Sequence, residues 1–194
     1  AAMALRDADL RPVINHGEQL ARWQEAGGGA SGLHIDSGMN RLGFRPEQAP
    51  AAFPGLELVI SHLACADEPD SPMNRQQRDT FAAVRGRYPG IAASFANSGG
   101  CFLGPDFVFD AVRPGISLWG GGPEGRPDPH IRPVATFSAP ILQVRPVPVG
   151  ESVGYARGKV ADQPLTVATV GAGYADGVMR ATSPKGQVFV AGQL

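Results

Sequence analysis

Short apolar segments alternate with segments of helical periodicity through the first two thirds of the chain. The apolar segments begin near residues 13, 33, 57, 92 and 112. This spacing is typical of βα units in a parallel sheet. The predicted strands span residues 12–15, 33–36, 56–62, 92–97 and 111–116, and the predicted helices span residues 17–26, 45–52 and 76–88.

Polar residues follow the predicted strands at the points where these end. They are Asn15, Asp36, His62, Asn97 and Arg113. In a (β/α) barrel the carboxyl ends of the strands carry the active site. The pattern therefore favours a functional site at that edge of the sheet.

The character of the chain changes near residue 133. Strand-like segments at 137–149, 152–155, 165–170 and 187–190 follow one another with glycine turns and without helical periods. We predict two domains, residues 1–132 and residues 133–194. A closed barrel needs eight strands and typically about 250 residues. The first domain has only five predicted strands. The predicted fold class is therefore α/β, with a partial (β/α)8 TIM-type barrel followed by the start of a C-terminal all-β domain. An open sheet is the alternative.

Composition and charge exclude several classes of protein. The chain has 17 basic and 18 acidic residues, so it lacks the basic surplus of a nucleic-acid-binding protein. The sequence shows neither an apolar run long enough to span a membrane nor a signal peptide. The two cysteines, Cys65 and Cys101, have no metal-ligand spacing. We expect a cytoplasmic protein with no metal, nucleic-acid or membrane partner.

Four motifs occur in a fixed order along the chain. They are IDSGMNRLGF at 35–44, SHLACAD at 61–67, ANSGG with VRPGISLWG between 96 and 120, and GYADG at 173–177. As a set they resemble the alanine racemase family. Its members are PLP-dependent enzymes of fold type III, with a (β/α) barrel and a C-terminal β domain. The resemblance covers essentially the whole chain.

The resemblance implies a set of cofactor-binding residues. Ser98, Gly115 and Ile116 resemble the family's phosphate cradle, and Asn97 lies beside Ser98. Arg113 corresponds to the arginine that faces the pyridine nitrogen, and His62 to the histidine that hydrogen-bonds this arginine. Because an arginine stays protonated, it keeps that nitrogen unprotonated. Each residue also has a structural interpretation: a strand-end turn for Ser98, a tight turn for Gly115, and a structural histidine for His62.

Arg41 and Tyr174 are the residues that the resemblance assigns to the substrate. Arg41 resembles the arginine that contacts the cofactor's phenolic oxygen and the substrate carboxylate, and its planar fork suits a carboxylate. Tyr174 resembles the catalytic tyrosine that reaches into the partner subunit's site, which implies a homodimer with two composite sites. A surface arginine and an interface tyrosine are the alternatives. His34 stands where some family members have a carbamylated lysine, and it departs from that pattern.

The implied reaction interconverts L-alanine and D-alanine by proton exchange at Cα, and it supplies D-alanine for peptidoglycan. It needs a lysine that binds PLP covalently. Lys159 and Lys185 are the only lysines, and both have the sequence context of solvated turns. We therefore expect a fragment that lacks the N-terminal part of the barrel and the end of the β domain, and that is inactive alone. A non-catalytic PLP-binding module and a racemase for a larger amino acid are the alternatives.

Overall fold

The chain divides into two compact units, Ala1–Ala135 and Thr136–Leu194. The structure is a computed structural model, and it describes residues 1–183 and 186–192. In that part of the chain, no helix combines the length and the apolar character that a membrane span requires.

A parallel sheet forms the centre of the first unit. Its four strands lie in the order β1-β2-β3-β4. The strands are β1 (Val13–Ile14), β2 (Ser31–His34), β3 (Leu56–Ile60) and β4 (Ala92–Ser94), and the helices are α1 (Ala2–Asp7), α2 (Gly17–Glu25) and α3 (Pro72–Arg85). His34 pairs in register with Ile60, and Ile60 with Ser94. The segments that follow these three strands therefore leave the sheet at the same edge.

The core of this unit lies between the sheet and its helices. Leu33, Val59 and Phe81 are fully buried. The Phe81 ring stacks on Phe95 with 5.2 Å between the ring centroids and meets Phe109 edge-on at 5.1 Å. Helix α3 contributes Phe81 and Val84 to this cluster, and Tyr88 joins it three residues after the helix ends. Helix packing thus fixes the sheet edge from which the loops emerge.

Two predicted elements of the first unit are wrong. The strand expected at 111–116 is reduced to one parallel bridge between Ala111 and Ser94. Pro114 has no N–H to donate to a ladder, and a 3-10 helix begins at Ile116. The helix expected at 45–52 is only the 3-10 turn Pro46–Gln48. Pro50 disfavours helical backbone at the residue before it, which stops this turn.

The second unit is β-rich, and its described part contains no α-helix. Strand β5 (Ile141–Val147) pairs with β8 (Leu165–Val170), and β6 (Ser152–Val153) pairs with β7 (Lys159–Val160), both antiparallel. Prolines at 140 and 148 bound β5, which makes it shorter than the predicted strand at 137–149. The strand predicted at 187–190 is also wrong, since only Val190 forms a bridge.

Replacing Phe81 by alanine tests the core. We expect Phe81→Ala to lower the free energy of unfolding by about 3–5 kcal/mol, because it empties a fully buried aromatic site. Phe102 is 44% exposed, so Phe102→Ala should change the free energy by only about 0.5 kcal/mol. Urea denaturation of both variants measures the difference, and equal losses would contradict this description of the core.

Candidate active site

The loops after the parallel strands bring the predicted polar residues to one edge of the sheet. His62 follows β3 after a single residue, Ser61, whose N–H donates to the carbonyl of Ser94 at 3.1 Å. The Arg113 N–H donates to the Ala96 carbonyl at 2.9 Å, which holds the segment after the Ala111 bridge beside the end of β4. The sheet register therefore places side chains that are distant in sequence next to one another.

The six predicted cofactor-binding residues line one cavity. Its volume of about 340 Å³ lies within the range of small-molecule sites. The cavity belongs entirely to the first unit. The six residues are His62, Asn97, Ser98, Arg113, Gly115 and Ile116.

Arg113 is held rigidly at this cavity. Its Nη1 donates to Ser94 Oγ at 2.6 Å, and its Nη2 donates to the Ser61 carbonyl at 2.6 Å. Nη2 also lies 3.3 Å from His62 Nδ1. Burial lowers the pKa of the Arg113 guanidinium, which nevertheless stays protonated at any physiological pH. The cavity therefore contains a fixed positive charge.

The contact with Arg113 determines the tautomer of His62. A guanidinium only donates hydrogen bonds, so His62 Nδ1 must accept and the ring proton must lie on Nε2. The pKa of His62 is lowered by its burial, then by the charge of Arg113 and that of Arg41. His62 is therefore neutral at neutral pH.

Ser98 is the hydrogen-bond donor that the cavity leaves for a ligand. Its Oγ accepts the N–H of Gly115 at 2.8 Å and the N–H of Ser117 at 3.3 Å, which occupies both lone pairs. Its hydroxyl proton is then directed elsewhere. The Gly115 amide, predicted to face a phosphate, is instead engaged with Ser98. A Cβ at Gly115 would meet no atom of the described residues within 4 Å, so the space beside its backbone is open in that part of the structure.

Asn97 shapes the turn that carries Ser98. Its Oδ1 accepts the N–H of Gly100 at 2.9 Å, and its Nδ2 donates to the Leu63 carbonyl at 3.4 Å. Both ends of the amide are thus used within the protein. Asn97 lines the cavity mainly as a residue that orients the Ser98 turn.

Arg41 lies in a tightly folded loop after β2. Asp36 Oδ1 accepts the N–H groups of Gly38 at 2.9 Å and Asn40 at 3.0 Å. Gly43 has a φ of 108°, and a Cβ there would lie 2.8 Å from the Asp36 nitrogen, so the loop requires glycine. Arg41 is exposed and lines a separate polar pocket of about 240 Å³. Its charge nevertheless lowers the pKa of both His62 and His34.

His34, the last residue of β2, is held by Asn15. Asn15 Nδ2 donates to the Val13 carbonyl at 3.1 Å, so Asn15 Oδ1 must accept from His34 Nδ1 at 2.8 Å. Burial is the main cause that lowers the pKa of His34, and the interactions with Arg113 and His62 lower it further. The Asp36 carboxylate raises it. His34 is therefore an uncharged member of a cluster of cationic groups.

Tyr174 belongs to the second unit. It begins the 3-10 helix Tyr174–Asp176 and is 76% exposed. Asp176 Oδ2 accepts the Gly173 N–H at 2.9 Å, which shapes this turn. Lys159 is exposed in β7, with its Nζ 3.6 Å from an oxygen of Asp162. Lys185, predicted to be a solvated turn residue, lies outside the described residues.

Several residues that orient the site were missed in the sequence. Ser94 and Ser61 fix Arg113, and the fully buried Gln77 contacts the segment that carries His62. Ser117 Oγ is buried and has no partner among the residues that the structure describes. One signal was available: Gln77 is a polar residue at helical spacing from Phe81 and Val84, and so lies on the apolar face.

Two family profiles cover this chain. The profile described as "Alanine racemase, N-terminal domain" matches residues 1–123, and "Alanine racemase, C-terminal domain" matches residues 134–194. The chain therefore belongs to the alanine racemase family, as its four motifs predicted.

Individual relatives agree with this assignment. An alanine racemase of Cereibacter sphaeroides is 47% identical over 95% of this chain and 53% of the relative. The crystal structure of biosynthetic alanine racemase from Pseudomonas aeruginosa superposes with a TM-score of 0.84 at 35% identity, over 94% of this chain and 55% of that one. The crystal structure of alanine racemase from Bartonella henselae with covalently bound pyridoxal phosphate superposes with a TM-score of 0.79 at 33% identity. The match covers 91% of this chain and 53% of that one.

The chain spans about half the length of the curated relatives it matches. The structural similarity confirms the predicted fold class, a partial α/β barrel followed by the start of a β domain.

The two neutral histidines make stability depend on pH. Because their pKa values are lowered in the folded state, the unfolded chain binds more protons as the pH falls below about 6.5. We expect the free energy of unfolding to fall as the pH decreases through 6.5. The double variant His34→Asn, His62→Asn should flatten this slope. Urea denaturation between pH 5 and 8 measures the slopes. An unchanged slope in the double variant would contradict the half-buried, neutral state of both rings.

Proposed function

We propose that this chain provides the cofactor- and carboxylate-binding part of an alanine racemase, a PLP-dependent isomerase that interconverts L-alanine and D-alanine and supplies D-alanine for peptidoglycan. The observation that carries the proposal is the single cavity lined by all six predicted cofactor-binding residues. Family membership and the order of the four motifs along the chain support it.

The chemistry of the cavity fits PLP. The cofactor has an anionic phosphate, a phenolic oxygen and a pyridine nitrogen, each of which needs a partner. The Ser98 hydroxyl has its proton free to donate, and the buried Ser117 hydroxyl has no partner among the described residues. These donors suit a phosphate. When bound, PLP supplies an electron sink that weakens the Cα–H bond of an amino acid.

Arg113 is proposed to hold the pyridine nitrogen by donating a hydrogen bond to it. The contacts to Ser94 and Ser61 fix the orientation of its guanidinium. Since an arginine does not release its proton, the nitrogen would stay unprotonated and the ring would be a weaker electron sink. This limits side reactions and suits a simple proton exchange. His62, which accepts from Arg113, would keep the guanidinium in place.

Arg41 and Tyr174 are proposed to act on the substrate. The Arg41 fork would bind the alanine carboxylate. The Tyr174 hydroxyl would deliver or remove the proton at Cα in the site of the partner subunit, so the working protein would be a homodimer. We place the protein in the cytoplasm, a location supported by the free thiols of Cys65 and Cys101.

A chimera tests the proposal. Residues 1–194 would replace the segment that they match in the Cereibacter sphaeroides alanine racemase, and D-alanine formation from L-alanine would be measured with PLP present. We expect turnover by the chimera and none by the chain alone, because Lys159 is an exposed residue of β7 that pairs with Asp162. A folded chimera that binds PLP without turnover would favour the non-catalytic module. Faster turnover of serine than of alanine would favour the larger substrate.

Tyr174→Phe in the active chimera tests the proposed proton transfer. We expect kcat to fall by about 10²–10⁴-fold, the usual contribution of a general acid or base, while PLP binding persists. Tyr155→Phe is the matched control, because Tyr155 also follows a glycine, begins a 3-10 helix and is fully exposed. Equal effects of the two substitutions would rule out a specific role for Tyr174.

A further inference from the structure

Gln77 is a buried polar residue to which the proposed reaction assigns no role. It is fully buried on the core face of α3, between Met73 and Phe81 in helical spacing. A buried amide destabilises a fold unless its hydrogen bonds are satisfied. Gln77 Oε1 accepts the Ala64 N–H at 2.8 Å, and Nε2 donates to the His62 carbonyl at 2.9 Å. The Gln77 amide thus holds the backbone on both sides of Leu63.

The same amide also contacts the loop after β2. Gln77 Nε2 lies 3.4 Å from Ser37 Oγ, which in turn lies 2.7 Å from Ser61 Oγ. A Cβ on Gly38 would meet the Gln77 Cγ atom at 3.4 Å, so the loop backbone packs against this side chain. This loop carries Arg41. Gln77 therefore joins the segment of the proposed carboxylate-binding arginine to the segment of His62.

The position of His62 relative to Arg113 depends on this backbone. Arg113 Nη2 contacts both the Ser61 carbonyl and the His62 ring. Gln77 binds the next polar groups along the same segment, the carbonyl of His62 and the N–H of Ala64. A segment released from α3 would turn the imidazole away from the guanidinium.

We propose that Gln77 is a positioning residue that ties the Arg41 loop to the His62 segment and thereby maintains the contact between His62 and Arg113. Its importance for catalysis rests on the proposed function. The contact itself is a property of this chain, and it can be measured without turnover. A residue that only filled the core would affect stability and leave the environment of His62 unchanged.

The test is an NMR titration of the His62 ring in the 194-residue chain. Several charged or titratable groups face His62. The charges of Arg113 and Arg41 lower the pKa of His62, and His62 in turn lowers the pKa of His34. Asp67 lines the same cavity. In Gln77→Met, which keeps the volume and removes the hydrogen bonds, we expect the His62 midpoint to rise toward 6.5 and the ring to lose its single Nε2–H tautomer.

Asn74→Met is the matched control. Asn74 is a buried amide one turn earlier in α3, and its Nδ2 donates to the Glu68 carbonyl at 2.9 Å, away from His62. We expect this variant to lose stability with no change in the His62 titration. A folded Gln77→Met with an unchanged His62 midpoint and tautomer would overturn the proposal, and so would equal shifts in both variants.

Ser37→Ala decides the question if Gln77→Met does not fold. It removes one contact of Gln77 and leaves α3 intact, so we expect a smaller rise of the His62 midpoint. No rise would overturn the proposal. The NMR titration and the chimera test separate proposals. If Gln77→Met shifts the His62 midpoint while the chimera is inactive, the racemase function is refuted and the positioning role of Gln77 stands.

Discussion

The parallel register of β2, β3 and β4 is the constraint on which the site depends. Because His34, Ile60 and Ser94 lie side by side, the segments after them begin at one edge of the sheet. Backbone bonds at that edge then hold Ser61 to Ser94 and Arg113 to Ala96. A slip of one residue in any strand would send the following side chains to the opposite face. The core beneath, centred on Phe81 and Phe95, protects this register.

The cavity combines a positively charged arginine with a neutral histidine. A buried guanidinium is costly unless its donors are paired, and Arg113 meets this requirement with Ser94, Ser61 and His62. The cluster lowers the pKa of His62 and of His34, so that the arginines provide the positive charge while both imidazoles stay neutral. Such a fixed cationic cavity suits an anionic ligand.

Much of this arrangement could be predicted from the sequence, and the exceptions have physical causes. The spacing of the strands is a local pattern, and it predicted the parallel sheet. The cavity residues were implied by the resemblance of the four motifs to the alanine racemase family. The resemblance implied His62 as a partner of Arg113, but Ser94 and Ser61 could not be predicted as its other partners. Ser94 lies within an apolar strand, and the Ser61 contact uses a backbone carbonyl. The strand predicted at 111–116 does not form beyond one bridge, because Pro114 lacks an N–H. Gln77 was missed because its hydrogen bonds join loops that only the folded sheet brings together.

A crystal structure of the chimera with PLP would test the central claim most directly, namely that this edge of the sheet is a PLP site. We predict density for the phosphate beside the Ser98 hydroxyl and for the pyridine nitrogen facing Arg113, with His62 still bound to the guanidinium. Cofactor density away from Ser98 and Arg113 would contradict the account, and so would a PLP ring turned with its nitrogen away from Arg113.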